Sequence, residues 1–290
     1  MRIAPQSDSS GLNHPAIDYL LIGHLAEDRT PEGITLGGTV SYSGLTADAL
    51  GHKVGVVTAA AETTDLEPLH TLSLVVKPSP ESTCFQNTYT DEGRVQMVFS
   101  QAVSLSSTDV PQDWWHTELV HIAPLMSELT SSIMEPFTNS FLGLTPQGLM
   151  RESDSEGHIS ALPWENATDF IEQSDAMVLG IEDLDMNEDA TLAVAALCSV
   201  AVITYGAQGA RVCVNGEWRS FPAQSTNEND ATGAGDIFAA TFFSRLHASG
   251  DAWAAAETAV RLASTSVTRL GLSGAPSASE VKAALEQEVA

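Results

Sequence analysis

Lysine is nearly missing from this chain: Lys53, Lys77 and Lys282 are the only three among 290 residues. Lysine and arginine together number 12 against 38 acidic residues, a formal charge of −26. Such a field excludes nucleic acid and anionic membranes as partners. It also opposes a polyphosphate ligand, so any phosphate site must rest on backbone N–H groups, a metal ion or a scarce arginine. The plainer role of the acidity is solubility. Cysteine is equally scarce: Cys84, Cys198 and Cys213 lie far apart without CxxC spacing. That excludes a zinc framework and predicts reduced thiols. The eight histidines show no HExxH or other ligand spacing, and His121, in an apolar strand, reads as a core residue. Trp114, Trp115, Phe242 and Phe243 read likewise as core. No run reaches the roughly 18 apolar residues of a membrane span. The start, MRIAPQSDSSGLNH, lacks an apolar segment behind Arg2. The expectation is a cytoplasmic protein with a loose tail over residues 1–15. Internal repeats, low-complexity tracts and long linkers are missing too.

What the chain does contain is alternation. Short apolar, β-branched runs at Ile17–Gly23, Val54–Ala60, Leu72–Val76, Glu118–Ala123, Phe141–Thr145, Ala176–Gly180 and Val200–Gly206 read as strands buried on both faces. Between them, Ser41–Leu50, Trp164–Gln173 and Glu188–Leu197 carry helical periodicity. This predicts an α/β fold with a Rossmann-like, doubly wound, mostly parallel sheet flanked by helices. Two regions break the pattern, at about residues 30–40 and 82–104, the second reading as a hairpin around Asp91-Glu92-Gly93. They predict a small β-sheet, which could serve as an active-site lid or as a plain edge hairpin. After Gly235 the chain turns helical to Gly250 and then to Gly271, and a last helix is capped by Ser277 with Glu280. Residues 16–290 thus read as one domain.

The stretch NDATGAGDIF, Asn229 to Phe238, sets a glycine turn between two aspartates just before an apolar helix. Phe238 stands where a dinucleotide fingerprint needs its third glycine, and no Gly-Lys-Ser/Thr follows, so neither common phosphate motif applies. What remains is a turn whose N–H groups, at Ala234 to Asp236, form an anion hole at a helix N-terminus. Asp236 there could be a simple helix-terminal acid, complementing the macrodipole by about 0.3–1 kcal/mol. Phosphoryl transfer would use the whole arrangement: the Gly233-Ala234-Gly235 backbone for the moving group, and Asp236 as base for the attacking hydroxyl.

Asp230, Thr232, Gly233, Ala234, Gly235 and Asp236 match the signature of the PfkB (ribokinase-like) carbohydrate kinases, and the sequence resembles that family in three further places. Gly37-Gly38 before a helix ending in Leu50-Gly51 resembles its N-terminal motif. Thr204, Gly206 and Gly209 of TYGAQG resemble its nucleotide turn, and VTRLG, from Val267, its adenine-flanking segment. The matches run in family order from about Ile17 to Gly271. The resemblance implies ATP as donor and Mg²⁺ on the phosphates. It implies Asp236 as base, a lid over the acceptor, and dimerisation through that lid. Thr204, Gly206, Gly209, Thr232 and Val267 would serve the nucleotide, and Asp28, Gly37 and Gly38 the acceptor. Arg94 and Arg151 could meet phosphate or acceptor, or end in surface ion pairs. The family's Asn-x-x-Glu metal element falls on Gly180 and Asp183, so metal assistance passes to Asp183 with Glu182. Ala26, Thr39 and Tyr42 replace the Asn, Lys and Asn of ribokinase itself, which disfavours ribose. LGIEDL, GLTPQGLMR and the hairpin resemble the branch with plant myo-inositol kinase. The resulting expectation is an ATP-dependent kinase of a sugar or polyol, inositols included. A nucleoside kinase and a non-catalytic binding or regulatory protein of the same fold are the alternatives, and an oxidoreductase is disfavoured for want of GxGxxG.

Overall fold

The computed structural model describes residues 14–90 and 93–286. With strands numbered along the chain, seven form a parallel array: β1 (Tyr19–Ile22), β4 (Val54–Ala60), β5 (Ser73–Pro78), β8 (Leu119–Ile122), β9 (Phe141–Leu144), β12 (Ala176–Gly180) and β13 (Val200–Thr204). They are the seven apolar runs. Two antiparallel strands, β14 (Ala210–Val214) and β15 (Glu217–Phe221), extend one edge, giving the order β15-β14-β13-β12-β9-β8-β1-β4-β5.

The runs are continuously apolar because both faces of the sheet are covered. From β1, Leu20 and Ile22 enter one core with Phe170 and Ile171 of α2 (Ala167–Ile171) and Ala195 of α3 (Glu188–Ala195). Tyr19 and Leu21 enter the other, with Phe238, Phe242 and Phe243 of α4 (Ala234–Ser249) and Ala255, Ala256 and Ala259 of α5 (Ala252–Ser266). A Cβ added at Gly143 would lie 2.6 Å from the Phe243 ring, so α4 sits directly on β9. His121 is a satisfied core residue, as expected: its ring contacts the Tyr19 hydroxyl at 3.2 Å and Thr145 Oγ1 at 3.1 Å. Burial pushes its pKa down to about 3, so it stays neutral. The three cysteines are free and buried. No helix among the described residues is long and apolar enough to cross a membrane.

A second, four-stranded sheet stands apart, ordered β3-β2-β6-β7 from β2 (Ala26–Thr30), β3 (Gly33–Gly37), β6 (Cys84–Thr90) and β7 (Gly93–Ser100). The expected hairpin is β6–β7, its tip Asp91-Glu92 lying outside the described residues. The first irregular region differs from expectation, because its strands begin at Ala26 and residue 39 already opens α1 (Thr39–Ala49). Two further boundaries differ from expectation, and one hairpin was not expected. The Trp164–Gln173 periodicity yields only the five residues of α2. α5 stops at Ser266 rather than at Gly271, because the Val267 carbonyl is taken by the N–H groups of Asn229 and Asp230. The small hairpin β10 (Arg151–Ser153) and β11 (Ile159–Ala161) had no periodicity long enough to show. α6 (Ala278–Glu286) carries the expected cap, Ser277 Oγ accepting from the Glu280 N–H at 3.3 Å.

Strand order reverses beside β1, with β4 and β5 on one side and β8, β9, β12 and β13 on the other. In a sheet of this kind the crevice outside the carboxyl ends of the strands, at the reversal, takes the ligand. The segments leaving β1, β9 and β12 at that edge carry Asp28, Arg151 and Asp183.

Candidate active site

The turn before α4 is held from below. Asp230 accepts from the Thr232 N–H at 2.9 Å with one carboxylate oxygen and from the Gly271 N–H at 2.8 Å with the other. Its N–H and that of Asn229 reach the Val267 carbonyl at 3.0 and 2.7 Å. Asp230, Thr232 and Val267 are therefore joined in one framework that fixes the approach to α4. Gly233 is the N-cap at φ 80°, with the Tyr42 ring on the side where a Cβ would project, 2.2 Å from its nearest atom. Gly233→Ala therefore combines an unfavourable backbone region with a collision. It is expected to destabilise the fold by at least about 2 kcal/mol, read as a lowered Tm with the turn's ligand affinity lost.

The Ala234 N–H goes to the Ala231 carbonyl at 3.2 Å, which removes it from the expected anion hole. Among the described bonds none uses the N–H of Gly235 or Asp236, and a Cβ at Gly235 would project into open space. A ligand can therefore approach the helix N-terminus at Gly235.

Asp236 is half-buried in the first turn of α4. Burial pushes its carboxyl up to about 6. A Thr39 side-chain hydrogen bond and the Arg151 charge pull it down, and the charges of Asp183 and Asp28 push it up. Asp28, Arg151 and Asp183, read from widely separated parts of the sequence, thus lie near enough for their charges to act on Asp236. A carboxylate titrating near 6 is ionised at neutral pH and remains a usable proton acceptor.

Asp28 lies in β2, not in a solvated loop, opposite Thr35. Its carboxylate lies against Gly37, where a Cβ would come 2.2 Å from Oδ2. Gly38 (φ 86°) begins α1 against the backbone of His24–Ala26. Neighbouring Arg29 stacks on Phe99, 3.8 Å from the ring centroid. Arg151 is 9% exposed, which rules out the surface ion pair that sequence had left open for it. Arg94 falls in β7, opposite Tyr89, its side chain outside those described. Asp183 is buried, its two oxygens accepting at 2.7 Å from the Gly180 N–H and from Gln147 Nε2. Glu182 beside it is exposed. A Cβ at Gly180 would lie 3.6 Å from Thr204 Oγ1, so Thr204 stands next to Asp183. Gly206 (φ 54°) and Gly209 (φ 97°) shape the hairpin turn that follows, closed by Tyr205 N–H to the Gly209 carbonyl at 2.8 Å.

Sequence reasoning missed the part played by α1. Thr39, Tyr42 and Ser43 all reach the α4 turn: Thr39 to the Asp236 carboxyl, Tyr42 onto Gly233, and Ser43 Oγ to the Asp236 carbonyl at 3.0 Å. Their i, i+3, i+4 spacing was the available signal. Gln147, which orients Asp183, had none.

Among the described residues no cluster of three His, Cys, Asp or Glu side chains could hold a metal. The donor set instead suits Mg²⁺ bound through ligand phosphates and water, since this ion keeps several waters and takes one or two carboxylates. Asp183, fixed by two hydrogen bonds, fits such a water-bridged role, with Glu182 next to it.

A nine-stranded sheet with a small second sheet, and with a helix N-terminus facing a carboxylate in the crevice, defines a ribokinase-like fold. Solved structures agree. A pyrophosphate-dependent kinase of the ribokinase family, complexed with a pyrophosphate analog and myo-inositol, superposes with a TM-score of 0.77 at 20% identity, over 91% of this chain and 99% of that one. Ribokinase from Thermotoga maritima gives 0.71 at 16% identity, over 93% and 100%. A putative ribokinase II from E. coli, with ATP and Mg²⁺, gives 0.70 at 15%, over 94% and 100%. Residues 168–278 match the profile of the pfkB family carbohydrate kinases. A fructokinase from Escherichia coli is 26% identical over 180 residues, which are 55% of this chain and 57% of that protein. The chain is thus matched to little more than half of that relative's length.

Proposed function

We propose that the protein is a Mg²⁺-dependent phosphotransferase that moves a phosphoryl group onto a hydroxyl of a small sugar or polyol, inositols included. The observation that carries this reading is the place of the Asp236 carboxyl, in the first turn of α4 beside the open Gly235. In the mechanism, Asp236 accepts the proton of the attacking hydroxyl while the N–H groups of Gly235 and Asp236 face the charge on the moving phosphoryl group. Mg²⁺ would neutralise donor phosphates. Asp28 accepts hydrogen bonds from acceptor hydroxyls, a charge-assisted and orienting interaction, against Gly37 and Gly38. Arg151 is the buried cation facing Asp236; Arg94, at the lid tip, is assigned to the same ligand.

ATP is the proposed donor, lying along Thr204, Gly206, Gly209, Thr232 and Val267. Pyrophosphate is a second reading, favoured by the likeness to the pyrophosphate-dependent kinase of the ribokinase family. The small sheet is the lid over the acceptor. A homodimer through its outer face is supported by the exposure there of Ile34 (65%), Val95 (42%) and Phe99 (42%).

The test is an acceptor screen of inositols, hexoses, pentoses and nucleosides, run with ATP and with pyrophosphate, detecting ADP or phosphate release. Turnover with polyols or sugars is expected. Turnover with nucleosides alone makes the protein a nucleoside kinase. Ligand binding without turnover makes it a non-catalytic member of the fold.

A further inference from the structure

We infer that Gly157 is a positioning residue: it docks the β10–β11 hairpin on the edge of the lid and so holds Arg151 toward the lid face that carries Asp28. The inference rests on the kinase reading above for its effect on turnover; the docking itself does not depend on it. β7 is the terminal strand of the lid sheet, and the turn of the hairpin meets its edge. The Val98 N–H donates to the Gly157 carbonyl at 2.8 Å, and Met97 pairs with His158 in an antiparallel bridge. Gly157 has φ 91°, and a Cβ there would lie 2.4 Å from the Val98 carbonyl oxygen, so a side chain breaks the contact. Asp154 shapes the turn, accepting from the Glu156 and His158 N–H groups at 2.8 and 2.9 Å.

The other end of the hairpin belongs to the crevice. Arg151 opens β10 shortly after Gln147, whose side chain donates to Asp183 at 2.7 Å. The register pairs Arg151 with Ala161 and Ser153 with Ile159, so Arg151 and Ile159 project from one face of the hairpin. Ile159 packs on Ala26, Phe85, Leu125 and Met126, with Val98 in the same cluster. Ala26 and Asp28 alternate onto one face of β2, and Phe85 stands opposite Asp28 in β6. The hairpin face bearing Arg151 is thus turned to the lid face bearing Asp28. Strands of three residues do not hold a two-stranded hairpin by themselves. Its order comes from the crevice at one end and the lid edge at the other, and the guanidinium is fixed only as firmly as that backbone.

Gly157→Ala adds the Cβ that the Val98 carbonyl excludes, and Asp154→Ala loosens the same turn at an exposed position. In both, the Val98 amide is expected to exchange with deuterium at least about tenfold faster than in the parent. The acceptor KM should rise about fivefold, with kcat within about twofold. A readout without turnover is the carboxyl ¹³C titration of Asp236 in aspartate-labelled protein, assigned by its loss in Asp236→Asn. It should move to higher pH as the Arg151 charge recedes. In an Arg151→Gln background, Gly157→Ala should add nothing to it. Faster Val98 exchange with an unmoved titration overturns the positioning role, as does unchanged exchange in both variants. A shift that persists undiminished in the Arg151→Gln background overturns it too. A parent that turns over no acceptor, while exchange and titration respond as expected, overturns the kinase reading and leaves the docking standing.

Discussion

Asp236→Asn is expected to lower kcat at least about 10²-fold while leaving donor affinity nearly unchanged, as for loss of a positioned general base. Asparagine keeps the size and the backbone contacts, including the Ser43 hydrogen bond to the Asp236 carbonyl. It also leaves the Gly235 N–H in place for the phosphoryl group. Single-turnover kinetics with an equilibrium binding measurement separate the two effects. Turnover equal to the parent's would reduce Asp236 to a helix-terminal acid.

The same residue sets a pH dependence with a defined sign. Its carboxyl titrates at about 6 in the folded protein, above its ordinary value of 3.8. Activity that needs the carboxylate should therefore fall as pH drops through about 6 and be flat above it. Stability runs the other way. A raised pKa favours folding where the group is protonated, and that contribution is lost as pH rises from about 3.8 to about 6. At neutral pH the ionised carboxyl costs up to about 3 kcal/mol. Asp236→Asn should accordingly melt higher than the parent at pH 7–8, with the difference vanishing near pH 4. A variant that loses activity and gains stability separates catalytic strain from a folding defect.

The parallel sheet was legible because its strands are buried on both faces, so each appears as an unbroken apolar run such as VGVVTAA. β14 and β15 were not: their residues alternate between core and solvent, and Arg211 and Arg219 lie on tryptophan rings, which hides the strand signal behind charge. The α4 turn was legible residue by residue because its chemistry is local: Gly233 needs a positive φ and Asp236 needs a helix N-terminus. Asp28 and Arg151 were legible only as candidates, since their meaning lies in what they face across the crevice. Thr39 and Tyr42 were seen only as replacements of other residues. Their contacts with the α4 turn span nearly two hundred positions and leave no mark in local pattern.

Removal of divalent cations is the second large effect expected, abolishing nearly all turnover. The cleft supports this from its own charges. The charges of Asp28 and Asp183 bear on Asp236, and that of Arg151 opposes them. The whole chain adds −26 to that field. A polyphosphate donor carries several further negative charges, and two backbone N–H groups with one guanidinium leave most of them uncompensated. Chelation should thus reduce donor affinity as well as kcat, and the deficit should deepen at low ionic strength, where surface carboxylates are least screened. Adding Mg²⁺ back should restore both. An Asp183→Asn variant should need more Mg²⁺ for half-maximal rate, because Asp183, held by Gly180 and Gln147, would supply the carboxylate for a metal-bound water. Full turnover in chelator would show that the protein's own groups suffice against the donor's charge, and would remove the metal from the mechanism.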